Sequence, residues 1–325
     1  MSALLDVRRL GVNAGQSTAP VTIVEDVSFT VDRGEVVGLA GESGSGKTMT
    51  ALALMGILPR EARASGEAWF AGEDVLKLHG RSLRQVQGRR IAIVFQDPGS
   101  ALHPMLTVGK QLTEHMRHHL GISRQEARRR ALELLDQVRI PDPKAALGAY
   151  PHQFSGGMRQ RIQIAIALAC EPDVLIADEP TTALDVTIQA GVLHLLSRLC
   201  RERGLGVLLI THDLAVLAAL ADRVVVMYAG RVIESCPAAE LMSASRHPYT
   251  RALLSSLPHP GSGDTALVSI RGTAPSAVAR PPGCAFHPRC EYAVASCSSD
   301  VPELIEAGGG HSFACPVDPF ARSGQ

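Results

Sequence analysis

The sequence has little net charge, few aromatic residues and no long apolar run. Lysine plus arginine equals aspartate plus glutamate, 32 each, so the chain lacks the global basic field that nucleic-acid binding requires. No apolar run approaches about 18 residues, the length that predicts a transmembrane helix, and the first residues do not resemble a secretory signal. We therefore expect a cytosolic chain without a nucleic-acid partner, which meets a membrane only through partner subunits.

The sequence does contain a glycine-rich loop between an apolar strand and a helix. Its residues are Gly41, Glu42, Ser43, Gly44, Ser45, Gly46, Lys47 and Thr48, and the helix continues through Met49. In this pattern the backbone N–H groups surround phosphates, the lysine reaches the β and γ oxygens, and the next hydroxyl holds Mg²⁺. The positive end of the helix favours the same anion. The loop therefore predicts nucleotide binding.

A second polar region follows in the middle of the chain. Ser155, Gly156 and Gly157 begin a predicted helix, where open backbone N–H groups suit an anion. The apolar strand from 173 to 178 ends in Asp178 and Glu179. The first carboxylate suits Mg²⁺, and the second suits the polarisation of an attacking water.

Other strands predict an α/β fold with two layers. Segments 4–8, 21–24, 27–31 and 66–76 read as strands of an antiparallel layer. Segments 90–96, 173–178 and 207–210 read as buried strands of the main sheet, and the last of these leads into His212. Between them, residues 107–140 read as polar helices, with a capping box at Ser123.

Together these motifs resemble the ATPase subunits of ABC transporters. The matching positions are the phosphate loop 41–48, the Q-loop Gln96, the signature 155–160, the Walker B pair Asp178 and Glu179, the D-loop Asp185 and the switch His212. The resemblance implies a P-loop ABC nucleotide-binding domain with a RecA-like core sheet, an antiparallel β subdomain and a helical subdomain over about 97–165. We expect this ATPase domain to span 1–258, followed by a small cysteine-rich extension over 259–325.

The same resemblance implies a shared ATP site in a head-to-tail dimer. The loop of one subunit would hold the phosphates, while Ser155, Gly156 and Gly157 of the other would cap the γ-phosphate. Glu179 would orient the water, His212 would contact the γ-phosphate, and Gln96 would sense Mg²⁺ held by Thr48 and Asp178. The cofactors would be ATP and Mg²⁺, and a monomer would hydrolyse poorly.

One departure from the family concerns the adenine ring. The family stacks adenine on an aromatic residue after the first strand, and Ala14 occupies that position. No aromatic residue lies between Met1 and Phe29. We expect ordinary hydrolysis with an ATP affinity that is weaker or less selective for the base, because about 1–2 kcal/mol of stacking is lost.

The C-terminal part resembles the extension of oligopeptide and dipeptide importer ATPases, which nickel importers share. The matching stretches are 247–254, 270–275 and 281–290. This implies two transmembrane permeases, a substrate-binding protein and a place on the cytoplasmic face of the membrane. Met158 in the signature resembles one of two subunit types, which favours a heterodimer over a homodimer. Alternatives are an importer of nickel or another small solute, and an ABC ATPase that does not act in transport.

The seven cysteines form two groups. Cys170, Cys200 and Cys236 are scattered, which is typical of buried small hydrophobic residues. The other four cluster in the last 42 residues of the chain, and they are Cys284, Cys290, Cys297 and Cys315. In a cytosolic chain such a group indicates metal binding rather than disulfides. The family resemblance implies a [4Fe–4S] cluster; Zn²⁺ and no metal are the alternatives.

Overall fold

The computed structural model describes residues 3–15, 20–181, 186–257 and 270–320. The chain divides into two compact units. The first comprises Met1–Leu5, Val31–Val36 and Lys77–Ile210, and the second Asp6–Thr30, Val37–Leu76 and Thr211–Gln325.

In chain order the strands are β1 (Leu5–Ala14), β2 (Val21–Val31), β3 (Val36–Ala40), β4 (Ala62–Phe70), β5 (Glu73–Asp74), β6 (Ile91–Val94), β7 (Val174–Asp178), β8 (Gly206–Ile210), β9 (Arg223–Tyr228), β10 (Arg231–Pro237), β11 (Ile305–Gly308) and β12 (His311–Phe313). The helices are α1 (Lys47–Leu54), α2 (Gly80–Val86), α3 (Pro98–Ala101), α4 (Val108–Leu120), α5 (Arg124–Gln137), α6 (Pro143–Ala146), α7 (Gly156–Leu168), α8 (Val186–Arg203), α9 (Leu214–Leu220), α10 (Ala238–Ala244) and α11 (Pro248–Ser255).

The first unit contains the parallel strands β6, β7 and β8. Strand β7 lies between the other two, with Ile91 opposite Val174 and Val174 opposite Gly206. Every residue of β7 and of β8 is buried, which explains their uninterrupted apolar sequences, since parallel strands are covered on both faces. Their predicted places in the chain are confirmed.

The predicted helical stretch over 107–140 contains a turn. Helix α4 begins after Thr107, whose side chain accepts from the Lys110 N–H, and it ends at Gly121 with φ of 67°. Helix α5 begins after Ser123, whose hydroxyl accepts from the Glu126 N–H at 3.2 Å. A left-handed glycine suits a helix C-terminus because it carries no Cβ, so the chain reverses there and forms two helices.

In the second unit β3 pairs in parallel with β9, and β10 pairs antiparallel with both β9 and β12. A separate sheet has the strand order β2, β1, β4, β5. The predicted break near residue 25 is wrong, because β2 is continuous. Asp26 adopts φ of 54° inside it, a conformation that aspartate tolerates better than most residues. No helix of the described part of the chain is long and apolar enough to cross a membrane.

Candidate active site

The predicted phosphate loop lies between β3 and α1 in the second unit. The ammonium of Lys47 donates to the backbone oxygens of Gly41 at 2.7 Å and of Glu42 at 3.0 Å. Lys47 and Ser45 are buried, whereas Ser43, Gly44 and Thr48 are exposed. Gly46 caps the helix, so the Thr48 hydroxyl lies in its first turn. A hydroxyl at this place is an oxygen ligand of the kind that Mg²⁺ prefers.

Glycine is required at the start of this loop. Gly41 has φ of 145°, and a Cβ there would lie 2.3 Å from the backbone oxygen of Met227. Gly44 has φ of 81° in open space, a conformation that glycine adopts without steric cost. Gly41 is therefore required by the close approach of the loop to β9, and Gly44 is favoured by its backbone conformation.

Two predicted catalytic residues meet in the first unit. The Gln96 amide, just beyond β6, donates to Glu179 Oε2 at 2.9 Å. Glu179 follows β7 with φ of 45°, and its N–H donates to the Ile210 oxygen at 2.8 Å. Left-handed backbone in a glutamate costs energy and concentrates at functional sites. Asp178, the last residue of β7, is buried. Asp178 and Gln96 supply oxygen ligands that fit Mg²⁺.

The predicted signature forms the start of α7. Ser155 is the N-cap, and its hydroxyl accepts from the Met158 N–H at 3.3 Å. Nothing lies within 4 Å of a Cβ built on Gly156. Gly157 is buried against the unit. Because the first N–H groups of a helix have no intrahelical acceptor, this end can receive an anion.

The remaining predicted residues are His212, Met49 and Asp185. His212 is exposed in the second unit, before the Asp213 cap of α9. Met49 is half-buried in α1. Asp185 lies outside the described residues. Gln96, Ser155, Gly156, Gly157, Asp178 and Glu179 therefore belong to the first unit, and the phosphate loop and His212 to the second.

The structure also reveals a link that the motifs did not indicate. Gln163 of α7 is buried, and with its amide oriented to satisfy both atoms it accepts from the Phe95 N–H at 2.7 Å and donates to the Phe95 oxygen at 3.2 Å. The signature helix thereby holds the residue next to Gln96. A polar side chain on the buried face of an otherwise apolar helix was the available signal, since buried amides need partners.

A second link joins the C-terminal region to the phosphate loop. Arg289 donates to both carboxylate oxygens of Glu42, at 2.8 and 3.2 Å. The Glu42 N–H donates to the Tyr249 hydroxyl at 2.8 Å. The ring of Phe286 packs against Tyr228 and Tyr249, with centroid distances of 5.3 and 5.4 Å. Glu42 belongs to the predicted phosphate loop, and Tyr249, Phe286 and Arg289 lie in the stretches 247–254 and 281–290, but the motifs did not indicate that these segments meet.

The four C-terminal cysteines lie close enough to influence one another's pKa. Burial raises the pKa of Cys284 to about 11, with further increments from the charges of Cys297, Cys290 and Cys315. Among the described residues no group of three or more His, Cys, Asp or Glu side chains is arranged to hold a metal ion. The expected [4Fe–4S] or Zn²⁺ site is therefore not shown by the described residues. Cys170, Cys200 and Cys236 are buried, as predicted.

Comparisons with known proteins agree with this geometry. The ABC transporter family matches residues 24–182, and the oligopeptide/dipeptide transporter C-terminal region matches residues 233–297. The dipeptide transport ATP-binding protein DppD of Escherichia coli (strain K12) is 45% identical over 323 residues, 98% of this chain and 99% of that protein. A putative peptide import ATP-binding protein of Brucella abortus (strain 2308) is 46% identical over 314 residues, 96% of this chain and 94% of that protein.

Solved structures show the same likeness. The dimeric structure of MJ0796, a bacterial ABC transporter cassette, has a TM-score of 0.64 at 28% identity and covers 72% of this chain and 98% of its own. The structure of cbiO1 from Clostridium perfringens, part of the ABC transporter complex cbiONQ, has a TM-score of 0.63 at 28% identity, covering 75% and 92%.

The phosphate loop, the carboxylate strand and the signature helix define the class of P-loop ATPases. With relatives at 45–46% identity over nearly the whole chain, the protein belongs to the ATP-binding subunits of the ABC transporter family. The resemblance found in the sequence, including that of the C-terminal region, is confirmed.

Proposed function

We propose that this chain hydrolyses ATP to energise the uptake of dipeptides and oligopeptides across the cytoplasmic membrane through partner permeases. The peptide cargo is supported by the similarity, over nearly the full length of the chain, to ATP-binding proteins named for dipeptide transport and peptide import. The match of residues 233–297 to the oligopeptide/dipeptide transporter region adds to it. In this proposal residues 1–258 act as the ATPase domain and 259–325 as the extension.

The roles of the site residues follow from their chemistry. Lys47 and the loop amides bind the phosphates of ATP, and Glu179 holds the attacking water. The bond from Gln96 keeps the Glu179 carboxylate in one orientation, which favours a fixed line of attack. His212 contacts the γ-phosphate. Ser155, Gly156 and Gly157, with Asp185, complete the site of a second ATPase subunit, so that hydrolysis requires a dimer.

Magnesium belongs to this site as part of the substrate complex. Thr48, Gln96 and Asp178 would hold the ion, and their oxygen atoms match its ligand preference. When bound, Mg²⁺ neutralises charge on the transferred phosphoryl group. The protein's own contribution is to hold the phosphates and the water in line.

The partners are proposed from the same relatives. We infer two transmembrane permeases, a substrate-binding protein that reaches the chain only through them, and a second ATPase subunit. The signature Met158 favours a heterodimer. The subunit would then lie on the cytoplasmic face of the membrane.

A Glu179→Gln pull-down tests the proposal. Tagged Glu179→Gln protein is recovered from detergent-solubilised membranes with MgATP, because loss of the carboxylate stops hydrolysis and traps the closed dimer. Glu171→Gln is the matched control, since Glu171 lies before β7, whereas Glu179 follows that strand, and the Glu171 side chain is 70% exposed. We expect two permeases and a second ATPase with Glu179→Gln and much less of them with Glu171→Gln. Recovery of the chain alone, or with ribosomes or DNA, would overturn the transport function.

Cargo is settled separately by uptake. Cells that carry the complex should accumulate labelled dipeptide, and the Glu179→Gln variant should abolish that uptake. Uptake of ⁶³Ni²⁺ without dipeptide would instead establish the nickel alternative.

Metal at the four cysteines stays a prediction. Iron and acid-labile sulfide in protein purified without oxygen would support the [4Fe–4S] cluster. Stoichiometric zinc would support a zinc site, and neither metal would leave four thiols.

A further inference from the structure

The C-terminal region reaches the phosphate loop through the side chain of Arg289. Arg289 lies in a short turn, His287–Arg289, between Cys284 and Cys290. Its side chain is 7% exposed, and that of Glu42 is 26% exposed. The pair is therefore shielded from water and from salt, so its interaction is stronger than that of a surface ion pair.

The geometry of this pair is bidentate. Both terminal nitrogens of Arg289 reach Glu42, one at 2.8 Å and one at 3.2 Å, while its Nε donates to the Arg271 oxygen at 2.8 Å. Two parallel bonds fix the carboxylate in one plane, which a single charge does not. The guanidinium is itself held, so Glu42 is tied to an immobile group.

The backbone of Glu42 is held as well. Its N–H donates to the hydroxyl of Tyr249, a side chain that is fully buried. Its carbonyl accepts from the ammonium of Lys47 at 3.0 Å. The side chain, the N–H and the carbonyl of one loop residue thus each have a different partner, and two of those partners come from beyond residue 248.

The aromatic packing explains why these partners stay in place. Phe286 lies three residues before Arg289, and its ring contacts those of Tyr228 and Tyr249. The Arg289 guanidinium lies 5.8 Å from the Phe286 ring centroid. A buried aromatic cluster of this kind positions a side chain with little freedom.

Resting on the ATPase function proposed above, we propose that Arg289 is a positioning residue for the ATP site, which sets the shape of the phosphate loop by holding Glu42. Arg289 reaches the loop through the Glu42 carboxylate, so its effect on the phosphate-binding residues passes through Glu42. Loss of Arg289 should loosen the loop and weaken ATP binding, with a smaller change in turnover at saturating ATP.

The test is a double-mutant cycle on the full chain. Binding of mant-ATP with Mg²⁺ is measured for Arg289→Ala, Glu42→Gln and the double variant, together with KM and kcat in the assembled complex. Each single variant should bind about tenfold more weakly, since hydrogen bonds to charged groups contribute roughly that factor. The double variant should bind no more weakly than either single one, because both remove the same link.

Two further variants separate positioning from folding. Arg271→Ala is the control, because its side chain is 84% exposed and only its backbone oxygen meets Arg289; it should bind within about twofold of wild type. Arg289→Lys keeps the charge but not the two parallel bonds, so it should restore only part of the affinity.

If Arg289→Ala does not fold, Tyr249→Phe tests the same loop, since it removes only the acceptor of the Glu42 N–H. Wild-type affinity in folded Arg289→Ala or Tyr249→Phe, or additive effects in the double variant, would overturn this inference while leaving the ATPase function intact. Failure of the wild-type chain to bind the nucleotide would overturn both.

Discussion

Replacing the buried Glu234 by glutamine should detach the C-terminal region from the sheet. Glu234 lies in β10 with no exposed surface. One of its oxygens accepts from the Arg246 N–H at 2.5 Å and from His311 Nε2 at 2.8 Å, and the other accepts from the His247 N–H at 3.1 Å. It therefore joins β10, the segment before α11 and β12 of the C-terminal region.

The expected cost follows from this arrangement. In Glu234→Gln the amide group must point at one of these donors, so at least one buried bond is lost and the others lose their charge. Breaking a buried, hydrogen-bonded charge pair costs about 3 kcal/mol or more. Glu240→Gln is a matched control, because Glu240 meets the other nitrogen of His311 at 3.3 Å with a side chain that is 44% exposed. That change should cost less than about 1 kcal/mol.

Limited trypsin digestion of the full chain measures the difference. Cleavage beyond β10 requires local opening, whose population follows its free energy when opening is fast. At pH 6 we expect Glu234→Gln to be cut about a hundredfold faster than wild type, the factor that corresponds to about 3 kcal/mol. Equal cleavage rates for Glu234→Gln and wild type would refute the reasoning. Equal increases in cleavage rate for Glu234→Gln and Glu240→Gln would also refute it.

The stabilisation that His311 and Glu234 provide depends on pH in a direction that can be predicted. The hydrogen bond to Glu234 raises the pKa of His311 above 6.5, so its stabilisation is complete below 6.5 and is lost as pH rises through the raised value. Burial alone raises the pKa of Glu234, but bonds from His311 and the backbone hold it below 4.5. The stabilisation from the ionised Glu234 carboxylate is present above pH 4.5 and is lost as the pH falls through the lowered pKa. The difference in cleavage rate between wild type and Glu234→Gln should therefore be largest between pH 4.5 and 6.5.

Two other substitutions test other parts of the structure. Ala14→Tyr, at the half-buried end of β1, should tighten ATP binding about fivefold to thirtyfold by restoring a stacking surface, and an unchanged Kd would contradict the explanation that the missing stacking contact weakens binding. His247 is fully enclosed, and burial lowers its pKa from 6.5 to about 4. As pH falls through this range the unfolded chain takes up a proton that the folded chain refuses, so about 3 kcal/mol of stability is lost. His247→Asn keeps a cap for α11 without a titrating group, so its free energy of unfolding should fall less between pH 7 and 4. Urea unfolding at pH 7, 5.5 and 4 measures this, and the same fall as in wild type would contradict the role given to His247.

Local patterns were sufficient for much of the fold and for the motif residues. Strand β7 ends at Asp178, as its sequence predicted. The phosphate loop follows from its glycines, because Gly41 adopts a φ and a close approach that only glycine permits. In each case the information lies within a few consecutive residues, where the dihedral preferences and the periodicity of one segment decide the outcome.

The contacts that hold these segments together could not be predicted in this way. Glu42 and Arg289 are 247 positions apart, and the partners of Glu234 lie 12 to 77 positions away. A single glutamate in an apolar strand was the only signal for the latter, since a buried charge requires partners. The identity of those partners depends on the edge of β10 to which β12 adds, and no local pattern specifies that pairing.

The contacts of Glu234 and of Arg289 allow two modes of action of the C-terminal region to be distinguished. If it were only a docked module that supports the loop as a whole, any change that loosens it would weaken ATP binding, and Glu234→Gln and Arg289→Ala would give the same phenotype. The described contacts differ, because Glu234 binds to β12 and the start of α11, whereas Arg289 binds the phosphate loop itself. We therefore expect Glu234→Gln to lower stability with little change of ATP affinity in the folded protein, and Arg289→Ala to lower affinity at nearly unchanged stability. Measuring both quantities on both variants distinguishes a local positioning contact from general support.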